Sequence, residues 1–200
     1  MPARARWMLL PAGLAMAVVA LATDGAIDGS QSTIVATFKQ EGVAVDAPFK
    51  HFSGTVAYDA AHPAAASANV DVEVSSLDLG DESYNAELRK AAWFDSAQFP
   101  KASFHSTSIK PGGVDHFEAT GTLSIKGKSQ TVTVPITVQK KDQAIAFDGS
   151  FELSRKFFGV GDPDWDAVLE DKVRVRFHLQ GSGAAVTPTA PAAPAQSSRS

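Results

Sequence analysis

The segment KVRVRFHL, residues 172–179, alternates apolar and polar side chains without a break. Successive side chains of a β-strand point to opposite faces, so a period of two is typical of a strand with one buried and one solvated face. The apolar side chains that would share the buried face are Val173, Val175, Phe177 and Leu179. This segment therefore predicts a half-buried strand.

Seven segments upstream show the same period of two. They are TIVATFKQ (33–40), FSGTVAY (52–58), ANVDVEVSS (68–76), KASFHSTSI (101–109), HFEATGTLSIKG (116–127), QTVTVPITV (130–138) and AIAFDGSFEL (144–153). Most of the connections are short and carry turn residues, which favours antiparallel pairing between consecutive strands. We therefore predict an all-β fold of eight antiparallel strands. A sandwich is one solution, and an up-and-down barrel, which has no edge strands, is the other.

The apolar faces of these strands mix large and small side chains. The large ones are Phe38, Phe52, Phe104, Phe117, Phe147 and Phe151, and the small ones are Ala36, Ala102, Ala119, Gly54, Gly121 and Gly149. Eight strands are about the size at which a barrel is either filled by side chains or holds one small ligand. The pattern alone leaves both outcomes open.

One segment, SYNAELRKAAWFDSAQFP (83–100), departs from the strand pattern between the third and fourth predicted strands. Asp81 or Ser83 can cap the start of a helix, and Pro100 forces the preceding residue into an extended shape. A helix of about ten residues is marginal alone and needs packing. We therefore expect one short helix that closes one end of the barrel.

The two ends of the chain read differently from the centre. Residues 1–22 combine two arginines, an apolar run and an Ala-Leu-Ala site, which is typical of a cleaved signal peptide; an uncleaved membrane anchor is the alternative. Residues 182–200 are rich in Ala, Pro, Thr and Ser and predict a disordered tail. The folded domain is expected over 23–181. An exported chain without cysteine must fold without disulfides.

Little in the sequence points to catalysis. With 18 basic and 22 acidic residues, the formal net charge is −4, which argues against nucleic acid as a partner. No nucleophile elbow, P-loop or paired histidine spacing is present, so we expect neither an enzyme nor a metal site. The acidic loop GDPDWDAVLED (161–171) lacks the glycine and the last acid of a calcium-binding loop.

Four motifs together resemble the YceI-like family of bacterial exported proteins. They are FSGTVAYD (52–59), ELRKAAWFDSAQFP (87–100), TGTLSIKG (120–127) and LSRKFFGVG (153–161), within a similarity that runs from about residue 32 to 180. The resemblance implies a lipocalin-like barrel, periplasmic or secreted, with a long apolar pore. The pore would bind a polyisoprenoid, such as a quinone or polyprenyl phosphate, or a long-chain acyl amphiphile. Many relatives carry a histidine at the position of Glu87, so a head-group contact through that histidine is not expected here.

On this basis we predict a lipid carrier that needs no cofactor. The wall is assigned to Phe38, Phe52, Phe104, Phe147 and Phe151, and the rim and lid to Leu88, Trp93, Phe94, Phe99, Phe158 and Trp165; the head group would meet Tyr84 and Arg89. Some relatives occur with a membrane cytochrome of the b561 type, which suggests a membrane or redox partner. A homodimer is allowed but not required. The alternative is a filled barrel that acts as an interaction module without a lipid.

Overall fold

The computed structural model describes residues 22–59, 62, 65–141 and 144–181. Ten strands account for most of this part of the chain. They are β1 (Ala22–Ala26), β2 (Thr33–Gln40), β3 (Val43–Phe49), β4 (Phe52–Asp59), β5 (Ser67–Glu73), β6 (Lys101–Gly113), β7 (His116–Ile125), β8 (Lys128–Lys141), β9 (Ala144–Ser154) and β10 (Lys172–Gly181). The helices are α1 (Glu82–Leu88) and α2 (Arg155–Phe158), with short 3₁₀ turns at Val74–Ser76 and Pro163–Trp165. The described part contains no helix long and apolar enough to span a membrane.

All strands belong to one antiparallel, curled sheet in the order β1-β4-β5-β6-β7-β8-β9-β10-β2-β3. Consecutive strands from β4 to β10 are neighbours, including β5 with β6 and β9 with β10, which long connections join. The alternation in β10 is realised as an unbroken register with β9, from Lys172 opposite Ser154 to Gly181 opposite Ile145. The all-β, barrel-like prediction is therefore confirmed.

The stretch from β1 to β2 closes the sheet on itself. β1 pairs with β4, whereas β2 pairs with β10. Between them, the Ile27 amide donates to the Gly54 carbonyl at 2.9 Å and the Asp28 amide donates to the Gln180 carbonyl at 2.8 Å. One continuous piece of chain thus bridges β4 and β10. β3 extends the sheet on the other side of β2 and meets the turn after β5 through a bridge between Phe49 and Leu77.

The predicted count of eight strands is corrected to ten. β1 was missed because its sequence, ATDGA, has no apolar alternation. β3 was missed because Pro48 cannot donate to a ladder and argues against a strand. It is tolerated because β3 ends the strand order and pairs only with β2. The single predicted helix is present as α1, between β5 and β6, and α2 is a second one that sequence reasoning did not find.

Small residues on the inner faces make room for aromatic rings of neighbouring strands. A side chain at Gly121 would place its Cβ 2.6 Å from Cζ of Phe104, and one at Gly149 would lie 3.0 Å from Cε1 of Phe177. Phe177 and Gly149 are direct cross-strand partners. These glycines therefore allow dense packing within the wall of the barrel.

Candidate functional site

An apolar cavity of about 190 Å³ runs through the interior of the barrel. Its wall is almost entirely aliphatic and aromatic and includes, among other residues, Ile34, Ala36, Val56, Val70, Phe117, Ala119, Val134, Val138, Phe147, Val175 and Leu179. These residues fall on every second position of their strands, which is the face that alternation predicts to be buried. Engineered apolar cavities of about 150 Å³ stay dry and bind small hydrocarbons. The interior can thus hold an apolar group but offers almost no hydrogen bond.

Two chain segments cover one end of this cavity, which we call the cap end. The first cap segment, 82–100, contains α1 and the turns after it; the second, 155–171, contains α2 and the loop after it. Each contributes wall residues, Phe94 from the first and Phe158 and Val160 from the second. Phe158 is only 1% exposed. The predicted closure of one barrel end by the helical segment is therefore observed, with a second segment beside it.

The start of α1 follows the predicted capping chemistry. The Asp81 carboxylate accepts a hydrogen bond from the Ser83 amide at 2.8 Å, which satisfies one of the free amides at a helix start. A hydrogen bond from the Ser83 hydroxyl, together with the one from the Ser83 amide, lowers the pKa of Asp81. The helix ends at Leu88, so the aromatic residues at 93 and 94 lie in the turns that follow it.

Two lysines, Lys126 in the turn between β7 and β8 and Lys128 at the start of β8, bind carbonyl groups of the cap segments. The Lys126 ammonium donates to the carbonyl oxygens of Ala91 at 2.8 Å and Gly159 at 2.6 Å, one from each segment. Lys128 donates to the Phe157 carbonyl at 2.9 Å. Burial lowers the pKa of Lys126, an effect opposed by the charge of Asp95. These contacts tie the cap to the sheet.

Arg155 is a buried cation at the cap end that sequence reasoning missed. It is 4% exposed and borders the cavity. Its guanidinium donates to Asp166 Oδ1 at 2.7 Å and to the carbonyl oxygens of Leu169 at 2.9 Å and Glu170 at 3.1 Å. Its position inside the LSRKFFGVG motif is the sequence feature that could have identified it as a site residue. Because these hydrogen bonds end on acceptors of the second cap segment, Arg155 mainly stabilises the conformation of that segment.

Five of the predicted ligand-binding residues line the cavity. They are Phe94, Phe104, Phe147, Phe151 and Phe158. Four further aromatic residues line it but were not predicted as binding residues: Phe49, Tyr58, Phe117 and Phe177. Three of these occupy inner positions of predicted strands and could have been included. Phe49 belongs to β3, which the sequence did not reveal.

Two predicted wall residues, Phe38 and Phe52, lie outside the lining. Both are half-buried, and each is on the inner face of its strand as predicted. Phe38 packs in a cluster with Ala36, Ala47 and Leu77, and Phe52 packs against the main core from the first position of β4. The prediction had the correct face but not the correct height along the barrel.

The remaining predicted rim residues pack within or upon the cap. Leu88 packs against the cluster around Leu77. The ring of Phe99 lies beside Gly127, where a Cβ would be 2.9 Å from Cε1. Trp93 is buried and makes an edge-on contact with Trp165, with ring centroids 6.2 Å apart. These side chains support the cap without lining the cavity.

The two predicted head-group residues lie on the surface of α1 and at its C-cap. Tyr84 is 59% exposed, and Arg89 forms an ion pair with Glu82 at 2.9 Å. Neither borders the cavity. Arg89 is already paired within its own segment, so the structure does not bring these two residues together with the aromatic wall.

The end of the cavity opposite the cap is marked by an aromatic cluster. Tyr58 makes edge-on contacts with Phe117 and Phe147, with centroid distances of 5.7 and 5.8 Å. The Lys140 ammonium lies 6.0 Å from the centroid of the Tyr58 ring. Lys140 also faces Asp115 at 3.6 Å. This end therefore combines an apolar wall with a cation at its margin.

Two acidic residues, Asp166 in the second cap segment and Asp171 at its end, have partners nearby in the chain. Asp166 pairs with Arg155 at 2.7 Å and with Lys156 at 3.0 Å. Asp171 accepts hydrogen bonds from the Ser154 hydroxyl and the Lys156 amide. Within the described residues, no group of three or more His, Asp or Glu side chains is placed to hold a metal ion.

A family model for the YceI-like domain matches residues 26–181. The chain belongs to the YceI-like family. This confirms the resemblance drawn from the four motifs. The matched range covers β2 to β10 and hence the whole wall of the cavity.

Similar proteins support the same assignment. The chain is 34% identical to Protein YceI of Escherichia coli O157:H7 and 38% identical to Protein YceI of Salmonella arizonae, each over 117 residues. These matches cover 58% of this chain and 51% of each relative, so the chain matches about half the length of these curated proteins.

Solved structures share the fold. The crystal structure of Burkholderia cenocepacia BcnA is 39% identical, with a TM-score of 0.76 over 78% of this chain and 99% of that chain. A polyisoprenoid-binding domain from Saccharophagus degradans, implicated in plant cell wall breakdown, has a TM-score of 0.63 at 15% identity and covers 79% of this chain and 97% of that one. At this identity the second likeness shows the fold alone.

Proposed function

We propose that this protein binds a long-chain lipid, of the polyisoprenoid or acyl class, in the cavity of its barrel and carries it in the periplasm or outside the cell. The observation that carries the proposal is the apolar cavity of about 190 Å³ enclosed by β-strands and a two-segment cap. The Saccharophagus degradans domain, described as polyisoprenoid-binding, supports the ligand class. The amino-acid pattern of residues 1–22, which lie outside the described part except for Ala22, supports export.

The mechanism is sequestration without chemical change. Each CH₂ of a hydrocarbon chain that leaves water contributes about 0.8 kcal/mol. Phe147, Val134 and Val175 lie in the wall and would contact such a chain. A wall of this kind binds by apolar area and shape rather than by hydrogen bonds, which suits a ligand with a long featureless tail. A cytochrome partner remains a prediction from the resemblance, and a homodimer remains allowed but not required.

Filling the cavity tests this proposal. Val134 is 3% exposed and lines the cavity from β8, so Val134→Phe is expected to place its ring in the space that the lipid would occupy. We expect delipidated Val134→Phe protein to take up a fluorescent acyl or prenyl probe at least about tenfold more weakly than the parent. Uptake is measured by fluorescence titration.

The matched control is Thr133→Phe, which adds the same ring to the exposed face of the same strand. It should bind the probe like the parent. Equal uptake by Val134→Phe, Thr133→Phe and the parent would place the probe outside the cavity. Absence of uptake by the parent would favour the alternative of a barrel that serves as an interaction module.

A further inference from the structure

Lys140 lies at the end of a row of cavity-lining residues. Val134, Ile136 and Val138 line the cavity from alternate positions of β8. Lys140 is the next position on that face, one residue before the end of the strand. Since side chains in a strand alternate between faces, its register directs Lys140 to the inner side at the barrel margin.

The surroundings of Lys140 agree with that register. Its ammonium lies 6.0 Å from the ring centroid of Tyr58, and Tyr58 is a wall residue that is 6% exposed. The Lys140 side chain itself is 37% exposed. The cation thus lies where the apolar wall meets solvent, and its stem can lie along that wall.

The ion-pair partner of Lys140 holds it loosely. Asp115, in the turn between β6 and β7, lies 3.6 Å from the ammonium, which is beyond hydrogen-bonding distance. Its side chain is 49% exposed. Exposed pairs of this kind contribute little to stability. An incoming anion could therefore share the ammonium with Asp115.

The rest of the cavity excludes a charged group. A polar group placed against the wall without a partner loses its hydration without compensation. Arg155, at the cap end, has its guanidinium occupied by Asp166 and by backbone carbonyls. Phe94 and Phe158 cover that end. Among the described residues, only the end opposite the cap therefore offers a place for a charged head group.

We propose that the ligand is an anionic amphiphile whose phosphate or carboxylate binds Lys140 while its tail extends past Tyr58 toward the cap. This inference rests on the proposed function and adds to it the head-group class and the direction of the lipid. Lys140 acts as the contact that distinguishes an anionic head from a neutral one. Asp115 competes with the head for the same ammonium.

The experiment compares ligands with one tail and two head groups on the delipidated full-length protein. Geranylgeranyl phosphate is compared with geranylgeraniol, and oleate with oleyl alcohol, by displacement of a fluorescent acyl probe. We expect the parent to prefer the anionic member of at least one pair by about three- to tenfold. The pair that shows the preference identifies phosphate or carboxylate as the head.

Three variants decide whether Lys140 causes the preference. Lys140→Met should abolish it and leave the affinity for the alcohol unchanged, whereas Asp115→Asn should increase it. Lys110→Met is the matched control, because Lys110 is an exposed lysine of β6 that faces away from the cavity lining, and it should retain the preference.

Two results would overturn the inference. If the parent binds both members of each pair equally, or if Lys140→Met keeps the preference, the head group does not lie at Lys140 although a lipid is bound. If the parent binds neither the fluorescent probe nor any of the four ligands, the proposed function fails and this inference fails with it.

Discussion

Arg155 shows how one buried charge can organise a segment around an apolar cavity. A guanidinium that is 4% exposed would be strongly unfavourable without partners. Here Asp166 supplies the opposite charge, and carbonyls of the second cap segment accept further hydrogen bonds. The conformation of the second cap segment therefore depends on the ionised carboxylate of Asp166.

The charge of Asp166 gives stability a defined pH dependence. Hydrogen bonds from Lys156 and Arg155 lower the pKa of Asp166 below its usual value of 3.8. A lowered pKa contributes stability that is present above the unfolded-state pKa and lost as the pH falls through the folded-state pKa. Asp166→Asn should therefore be less stable than the parent at pH 7, and the difference should vanish in acid.

Urea unfolding between about pH 7 and pH 2.5 measures this difference. Asp164→Asn is the matched control, since no ion pair of the Asp164 carboxylate is found among the described residues. It should track the parent at every pH. A difference between Asp166→Asn and the parent that stays constant across the range would show that the ion pairs do not carry the effect.

At the scale of elements, the cap consists of two segments that contain little regular secondary structure. α1 has seven residues, none of them buried, and α2 has four. Helices of this length are not stable alone. They are held by Lys126, by the Gly161 amide donating to the Ala92 carbonyl at 3.0 Å, and by the Trp93–Trp165 contact. An element held by a few contacts can open without unfolding the barrel.

Weakening the Trp93 contact should speed the exchange of bound lipid. Trp93→Phe keeps an aromatic side chain but reduces its contact with Trp165, so the two cap segments should separate more often. We expect a fluorescent lipid to leave the variant about three- to tenfold faster, with a smaller effect on its association. The measurement is stopped-flow transfer of the probe to an excess of vesicles.

Tyr84→Ala provides the control within the same segment, because Tyr84 is 59% exposed on α1. It should release the probe at the parental rate. Urea midpoints of both variants separate cap opening from general loss of stability. Release from Trp93→Phe at the same rate as from Tyr84→Ala would mean that opening of the cap around the lipid tail does not limit the exchange of the lipid.

At the scale of the whole molecule, the sequence predicted the sheet better than the site. Uninterrupted alternation, as in β10, gave the strands and their inner faces. It could not give the height of a residue along the barrel, and so Phe38 and Phe52 were placed in the cavity wall. Alternation could not reveal β3, because Pro48 lacks the amide that a strand ladder needs. It also could not show whether the interior of the barrel is filled or hollow. The rings of Phe104 and Phe177 fill the space beside Gly121 and Gly149, yet a cavity remains. An alternating mixture of large and small residues fits a filled and a hollow barrel equally well.

If the barrel holds a lipid, protein purified from its native host should contain it, so the lipid content of that protein tests the proposed function most directly. Intact and denatured protein are compared by mass spectrometry, with quantification of the organic extract. We expect about one equivalent of a prenyl or acyl lipid per chain, as for a single enclosed site. Protein that yields no lipid, and that takes up no prenyl or acyl probe after purification, would contradict it.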